Sequence, residues 1–187
     1  MPDLELRRVN ADGLPEARQV LTDVYAEVYA DALGDPFFSV ERFAERLSGH
    51  ARRNNWEAVI GYQGDEPVGY AYAGALQPGA RWWMHMLDPL SEKYTEETGR
   101  RTLALFEIMV RKPWRGTGAA RHIHEELLSG RAEERVTLLV DPRKQGVKAL
   151  YERWGYASIG DQKPFPDSPL YATMVRSLRV PRRAAHA

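Results

Sequence analysis

Hydrophobic positions along the chain recur with two different periods, and these periods predict where strands and helices lie. Residues 4–9 alternate between apolar and charged side chains, which is typical of a strand with one buried face. Across residues 15–33 the apolar side chains return every three or four positions, as on one face of a helix, and Gly34 and Pro36 then stop it. Ser39 is a candidate N-cap for a second helix, so the chain is expected to begin with a strand and two helices.

The middle of the chain predicts a hairpin, a long excursion and a central strand. Two apolar runs, 56–62 and 67–74, are joined by a short connection that contains glycine, which indicates a β-hairpin. Residues 77–101 are interrupted by proline and glycine and predict a long excursion with one or two helical turns, either functional or a hydrophobic lid over the core. The run 103–110 is apolar on both faces except at Glu107, which is typical of a strand covered on both sides.

The second half of the chain alternates helical and strand patterns. The predicted elements are a helix over 119–128, a strand over 135–140, a helix over 146–154 and weaker strands at 156–159 and 170–178. This order predicts an α/β sandwich on a mixed sheet, with one domain over residues 1–180. Residues 181–187 are expected to form a disordered tail.

Composition and charge exclude several classes of protein and site. The 187 residues carry 26 Lys and Arg against 26 Asp and Glu, so a net charge of zero gives no electrostatic reason to expect nucleic acid as a partner. Without cysteine there are no disulfides, thiolate zinc sites or cysteine nucleophiles, and the five histidines lack ligand spacing, so we predict no metal site. No apolar run is long enough for a membrane span and the first residues do not resemble a secretory signal. We therefore expect a cytoplasmic protein with no membrane partner.

One segment has the composition of an anion-binding loop. Arg115-Gly116-Thr117-Gly118 stands where the predicted central strand gives way to a helix, whose first turn presents unpaired amides at the positive end of its dipole. Four basic residues and no acidic one lie between Glu107 and Glu125, which favours phosphate. A Walker loop would need Gly-Lys-Ser/Thr, and a Rossmann fingerprint would need glycine at Arg121. A purely structural turn is an equal alternative at this point.

This segment and another about thirty residues later resemble two motifs of the GCN5-related N-acetyltransferase (GNAT) family. Val110 to Pro113 followed by Arg115-Gly116-x-Gly118-x-Ala120 is similar to motif A, Arg/Gln-x-x-Gly-x-Gly/Ala. Leu150-Tyr151-Glu152-x-x-Gly155-Tyr156 is similar to motif B, Leu-Tyr-x-x-x-Gly-Phe. The resemblance extends over residues 4–178. It implies a single-domain α/β fold of the acyl-CoA N-acyltransferase (GNAT) type, with a mixed, mostly antiparallel sheet and helices on both faces.

The resemblance also implies acetyl-coenzyme A as cofactor. In the family, motif A amides hold the pyrophosphate, and the pantetheine arm lies in a split between the fourth and fifth strands. The implied pyrophosphate contacts are Arg115, Gly116, Thr117, Gly118, Ala119 and Ala120, and the implied pantetheine contacts are the backbones of Met109, Val110 and Arg111. Many members carry Asn seven residues before the motif B tyrosine, where this chain has Lys144. We therefore take Lys144 as a candidate cofactor contact, with Asp141 and Gln145 as nearby substitutes.

Tyr151 is the candidate general acid, because the motif B tyrosine lies beside the thioester sulfur in the family. A phenol with an ordinary pKa near ~10 stays protonated at neutral pH and can supply a proton to the departing thiolate. The alternative is that Tyr151 only packs against Leu150 and Trp154 and anchors its helix.

Glu107 is the candidate general base, which is needed because an alkyl amine with a pKa near ~10.4 must lose a proton before it attacks. It is the one ionisable residue in the apolar central strand, where burial would raise its pKa toward the useful range. The alternative is an ion pair with a neighbouring arginine. His85 is an outside candidate, and His122 and His124 are predicted to point to solvent.

Aromatic side chains of the first helices and of the excursion are candidates for the acceptor site, which lies between these segments in the family. They are Tyr25, Tyr29, Phe38, Trp82 and Trp83. Ordinary packing in the core or lid is the alternative for each.

These motifs predict an acetyl-coenzyme A-dependent N-acetyltransferase that acts on a primary amine of a small molecule or peptide by direct attack in a ternary complex. A non-catalytic sensor of acyl-coenzyme A on the same fold is the alternative, since fold does not determine function. A different acyl group or an O-acyl acceptor would keep the fold and change only the pocket. The assembly is expected to be a monomer or a homodimer.

Overall fold

Within residues 3–179, which the structure, a computed structural model, describes, seven strands form one sheet in the order β1-β2-β3-β4-β5-β7-β6. The strands are β1 (Glu5–Asn10), β2 (Glu57–Gln63), β3 (Glu66–Ala75), β4 (Thr102–Val110), β5 (Arg135–Val140), β6 (Ala157–Gln162) and β7 (Tyr171–Ser177). Neighbouring strands run antiparallel except for β4 and β5. This confirms the predicted mixed, mostly antiparallel sheet, whereas the predicted tail 181–187 lies outside the described residues.

Five α-helices connect the strands in this part of the chain. They are α1 (Leu14–Val28), α2 (Val40–Ala51), α3 (Glu92–Thr95), α4 (Ala119–Leu128) and α5 (Gln145–Arg153). The Ser39 cap is confirmed, because its hydroxyl accepts a hydrogen bond from the Arg42 amide at 3.2 Å. Helix α1 ends earlier than predicted, since the apolar pattern continues through Leu33, which packs against the same core after the helix has ended. No helix in the described range is long and apolar enough to cross a bilayer.

The apolar patterns bury two separate cores, one on each face of the sheet. Helices α1 and α2 cover the first face, where Leu21 and Phe43 are fully buried. Helices α4 and α5 cover the opposite face, where Ile123 is fully buried. Strand β4 contributes Met109 to the first core and Leu105 to the second, which explains why its sequence is apolar on both faces.

The parallel pair β4 and β5 forms a split in the middle of the sheet. The two strands pair only over their first residues, from Thr102 opposite Arg135 to Ala104 opposite Thr137. Beyond Ala104 each strand continues without the other, β4 toward Val110 and β5 toward its own end. The split therefore opens toward the carboxyl ends of both strands, and the loops that begin α4 and α5 follow directly from its two arms.

A β-bulge in β4 determines which way Glu107 faces. The pairing of β3 with β4 shifts register between Tyr72, opposite Glu107, and Ala73, opposite Leu105, so Phe106 is the extra residue. Residues opposite each other in an antiparallel pair share a face, and Tyr72 belongs to the core under α1 and α2. Glu107 and Phe106 therefore both point to this face, although they are adjacent in the strand.

Candidate active site

The predicted phosphate loop forms a left-handed turn at the start of α4. Gly116 and Gly118 have φ angles of 79° and 95°, in a region that residues with a Cβ rarely adopt. Gly118 is the N-cap residue of α4. A Cβ built at Gly116 would meet nothing within 4 Å, so the turn faces open space.

The beginning of α4 presents backbone amides that have no acceptor among the described residues. The amides of Gly118, Ala120 and Arg121 donate no hydrogen bond there, and that of Ala119 makes only a 3.4 Å contact to the Thr117 hydroxyl. Amides in this arrangement, at the positive end of a helix dipole, suit a bound phosphate group. The loop therefore fits the pyrophosphate of acetyl-coenzyme A.

Only part of the implied pantetheine contact faces the split. The Arg111 amide donates to the Val68 carbonyl on β3 at 2.9 Å, so this backbone group points away from the split. Successive residues of a strand direct their backbone groups to opposite edges, which turns Val110 toward the split and Met109 toward β3. In agreement, the Val110 carbonyl accepts a hydrogen bond from Arg115 Nε at 3.3 Å.

Glu107 lies beside the split with a side chain that is partly buried, and it makes no ion pair within the described residues. Burial raises the pKa of Glu107 to about 7, and the nearby Arg46 guanidinium on α2 opposes this shift. The carboxyl group is thus near half ionisation at neutral pH while still reachable from solvent. The predicted alternative, a direct ion pair with arginine, is not what the structure contains.

Tyrosine side chains surround Glu107. In six of them burial raises the pKa and the Glu107 carboxylate adds to the shift: Tyr25, Tyr29, Tyr70, Tyr72, Tyr151 and Tyr171. Three of these tyrosines lie with Glu107 beside the split, and we call this neighbourhood the Glu107 cleft. It is bounded by Glu107, Tyr29, Tyr151 and Tyr171.

Tyr151 on α5 reaches the same cleft from the other arm of the split. The residue is 8% exposed, and its ring packs edge-on against Trp154 and Tyr156 with centroids 5.6 and 5.7 Å apart. Burial, followed by the charge of Glu107, raises the pKa of Tyr151. The packing predicted as an alternative is therefore present together with the position near Glu107, and the phenol stays protonated at neutral pH.

Lys144 lies across the split from α1. It is the N-cap residue of α5, and its Nζ atom is 5.8 Å from the centre of the Tyr29 ring. Its side chain is thus directed to the Tyr29 ring, and its contact with the cofactor arm stays a prediction.

The five aromatic residues predicted for the acceptor site divide into four groups. Tyr29 and Phe38 are partly accessible and stack on each other with centroids 5.4 Å apart at the Glu107 cleft. Tyr25 is only 1% exposed and belongs to the core beneath them. Trp82 contacts the extra residue of the bulge, Phe106, edge-on at 6.1 Å.

Trp83 is not brought to the Glu107 cleft. Its ring is buried against Tyr94 and Arg135, and its indole N–H donates to the Glu97 carboxylate at 2.9 Å. Adjacent residues of a short helical turn point in different directions, so only one of the two tryptophans faces the cleft side. Trp83 instead joins the excursion to the start of β4, where Thr102 donates to the same carboxylate at 2.7 Å.

Arg46 and Tyr171 are two residues of this region that the sequence analysis missed. Arg46 donates from Nη1 to the Phe37 carbonyl at 2.9 Å and lies over the Phe37 ring at 5.2 Å. Burial and the charge of Glu107 raise the pKa of Tyr171, the first residue of β7, to about 12. Neither residue belongs to a motif, and only the tertiary fold brings them together.

The β6–β7 connection crosses over the same side of the molecule. Asp167 pairs with Arg42 at 2.7 Å, and the Phe165 ring lies 6.3 Å from that of Phe37. These contacts join the last hairpin to α2 and to the segment before it.

His124 contradicts the prediction that it points to solvent. It is fully buried, its Nε2 atom lies 2.8 Å from the Tyr156 hydroxyl, and its ring packs 4.7 Å from that of Trp154. Burial lowers the pKa of His124 to about 4, so the ring is neutral at pH 7. The apolar stripe of α4 is wider than the sequence pattern indicated, because α5 covers it. His85, by contrast, is exposed.

Two cavities elsewhere are lined by neither Glu107 nor Tyr151, although Gln145, a substitute considered for Lys144, lines one of them. One, of about 330 Å³, lies near Trp56 and Arg131 at the opposite end of the sheet, and the other, of about 500 Å³, lies between α5 and β6. The Glu107 cleft is distinguished by its chemistry instead of its volume, because it brings a carboxyl group with a raised pKa beside the split.

Comparisons with known proteins agree with this geometry. The acetyltransferase (GNAT) family profile matches residues 18–156. The sequence has no match among curated proteins.

Solved structures of acetyltransferases share the fold. An acetyltransferase from Thermus thermophilus has 20% sequence identity and a TM-score of 0.62, covering 94% of this chain and 97% of its own. A GNAT-family acetyltransferase from Streptococcus pneumoniae has 17% identity and a TM-score of 0.61, covering 95% and 100%. Aminoglycoside 6'-acetyltransferase type Ii has 17% identity and a TM-score of 0.64, covering 96% and 99%.

At these identities the structures establish only the fold, whereas the profile match extends over most of the chain and includes both motifs, the split and Glu107. Members of this family are in general acetyltransferases that use acetyl-coenzyme A. The chain belongs to the acetyltransferase (GNAT) family.

Proposed function

We propose that this protein transfers an acetyl group from acetyl-coenzyme A to a primary amine of a small molecule or peptide, by direct attack in a ternary complex. The observation that supports this most is that Glu107 and Tyr151 approach one cleft from the two arms of the split. A carboxyl group with a pKa near 7 and a phenol that stays protonated are the base and the acid that the reaction needs.

Glu107 accepts the proton that the acceptor amine must lose. A base is most effective when its pKa lies near the working pH, because enough of it is ionised and it still binds the proton firmly. Burial keeps Glu107 in that range, and Arg46 prevents the pKa from rising further.

Tyr151 holds the proton for the departing group. Its raised pKa means that the phenol remains a hydrogen-bond donor throughout the neutral range. Trp154 and Tyr156 fix the ring, so its hydroxyl direction is set before any ligand binds.

The loop Arg115–Ala120 and the Val110 backbone would hold acetyl-coenzyme A, which supplies the activated acyl group as a thioester. The open amides of α4 take the pyrophosphate, and the positive-φ glycines allow its close approach.

A thermal-shift titration followed by a thiol-release screen tests the function. Acetyl-coenzyme A and longer acyl thioesters are titrated first, because a ligand that binds only the native state raises the melting temperature. Release of free thiol is then measured over an amine library. Stabilisation together with amine-dependent thiol release supports the proposal. Stabilisation without turnover over the library would favour the sensor, and no stabilisation would contradict cofactor binding.

The pH profile of the turnover tests Glu107. The ionised carboxylate is the active form, so kcat should rise with pH and level off above about 7. In Glu107→Gln the rise of kcat with pH should disappear, and kcat itself should fall by about a hundredfold or more. Glu16→Gln, an exposed position on α1, is the control. An unchanged limb in Glu107→Gln would assign the titration to another group, such as the amine itself.

A further inference from the structure

Two cations at the Glu107 cleft have no carboxylate partner within the described residues. Arg46 on α2 and Lys144 at the start of α5 make no ion pair there. The cations one turn away on the same helices differ, since Arg42 pairs with Asp167 at 2.7 Å and Lys148 pairs with Glu152 at 3.1 Å. Arg46 and Lys144 thus make no direct ion pair in the described part of the chain, although Glu107 lies near Arg46 and Asp141 lies near Lys144.

The Arg46 guanidinium is held in place with donors to spare. Nη1 donates to the Phe37 carbonyl at 2.9 Å, Nη2 lies 3.4 Å from the Tyr25 hydroxyl, and the group covers the Phe37 ring. A guanidinium carries five N–H donors in a planar fork, so most remain open for a ligand. A fixed fork of this kind is suited to bind a carboxylate through two parallel hydrogen bonds.

Lys144 contributes a second charge from the opposite arm of the split. Its ammonium lies over the Tyr29 ring, which stacks on Tyr25 at 4.6 Å, and the Tyr25 hydroxyl in turn lies beside Arg46. Lys144 also stands at the positive end of the α5 dipole, where a cation is unfavourable and an anion is stabilised. The two cations therefore flank one pair of stacked tyrosine rings.

This charge pattern restricts the acceptor. A plain alkyl amine enters as a cation and is repelled by both groups, whereas an amine that also carries an anion is attracted by them. Glu107 would receive the amine and the two cations the anion, along the aromatic wall of Tyr29 and Phe38. We propose that the acceptor is an amine that also bears a carboxylate, as an amino acid does, and that Arg46 and Lys144 bind this carboxylate. The inference rests on the proposed function, since it names the substrate class of the same site.

Matched ligand pairs test the inference by binding alone. The twenty common amino acids and their α-amides, which lack the carboxylate charge, are titrated by calorimetry into the protein in the presence of coenzyme A. At least one acid should bind roughly tenfold to a hundredfold more tightly than its amide. Arg46→Gln and Lys144→Gln should each remove most of that difference, and Arg46→Lys should keep part of it because charge remains without the fork.

Arg42→Gln and Lys148→Gln are the controls, since they remove equal charges one turn away and should leave the preference intact. Amides that bind as well as acids, an absence of binding in both series, or equal losses in the control variants would overturn the inference. The binding of O-phosphoethanolamine is compared with that of ethanolamine to identify the anion that the site prefers. If only this pair shows a preference, the bound anion is a phosphate and the carboxylate proposal is wrong.

Binding is measured separately from thiol release, so the two proposals fail in different ways. A carboxylate preference without thiol release would contradict the acetyl transfer and leave the anion site supported. Thiol release with acids and amides alike would support the acetyl transfer and contradict the anion site.

Discussion

The proposed cofactor loop and the proposed acceptor cleft both adjoin the split but are built by different means. The loop Arg115–Ala120 is one continuous segment whose useful groups are backbone amides. The Glu107 cleft takes side chains from α1, α2, β4, α5 and β7, five separate elements. A backbone site depends on φ angles and open space, whereas a side-chain site depends on residue identity and packing. The two halves should therefore respond to different kinds of substitution.

The largest effect is expected from Tyr151→Phe, which removes one hydroxyl from the cleft and leaves the loop untouched. It should lower kcat by about a hundredfold or more, because proton donation by a positioned group contributes that much. The coenzyme A dissociation constant should change by less than about threefold, as the ring packing is kept. Rapid-mixing kinetics and calorimetry on the same preparation separate the two. An undiminished kcat would leave Tyr151 a packing residue.

A charge placed in the loop should have the opposite effect, a loss of cofactor affinity without damage to the cleft. Gly116→Asp is expected to weaken coenzyme A binding by roughly tenfold to a hundredfold, because the carboxylate competes with pyrophosphate for the same amides. Gly130→Asp, at the other end of α4, is a matched control, since both glycines have similar positive φ angles of 79° and 74° and nothing within 4 Å. Equal affinities for the two variants would contradict the loop assignment.

The backbone half also has a packing requirement, which Gly69→Ala should expose. A Cβ at Gly69 would collide with the Met109 carbonyl and the Val110 Cα, so β3 and β4 would have to separate beside the cofactor edge. Overpacking of this kind costs about 1–3 kcal/mol, which should lower the melting temperature by roughly 5 °C. Gly49→Ala in α2 meets no such obstacle and should raise the melting temperature slightly. An unchanged melting temperature in Gly69→Ala would show that the two strands can separate without a cost in stability.

The smallest effect concerns stability and acidity in the cleft. The pKa of Glu107 is raised in the folded protein, so its contribution to stability is lost as the pH rises from about 4.5 through about 7. Glu107→Gln should therefore be the more stable protein at pH 8, by about 1 kcal/mol after allowance for its partial exposure, and no more stable at pH 4. Denaturant unfolding at both pH values measures this. A pH-independent difference would mean that burial does not perturb Glu107.

Sequence reasoning succeeded where the information was local. The glycine loop, Tyr151 and the single acid of β4 stand in short segments whose place in a loop, helix or strand follows from local spacing, whereas the split was implied only by the family resemblance. The same reasoning located every strand within a few residues.

Sequence reasoning did not succeed where the direction of a side chain depends on tertiary contacts. Arg46 has the same place in the helical pattern as Arg42, which pairs with Asp167, and no local signal says which of them turns to the cleft. Trp82 and Trp83 are adjacent in an irregular turn, so periodicity does not separate cleft from core. His124 was expected outside because a histidine in an amphipathic helix is usually on its polar side, but α5 extends the buried face over it.

The bulge at Phe106 means that the position of the acid is fixed by the count of residues along β4. If β4 paired with β3 without the bulge, Phe106 would stand opposite Tyr72 and Glu107 would turn to the α4 and α5 face, among Leu105 and Ile123. The composition of the chain would be unchanged, yet the carboxyl group would sit in a closed apolar core. Loss of Phe106 itself would instead restore strict alternation and leave Glu107 opposite Tyr72, so the register, and not the composition, decides which core the acid enters.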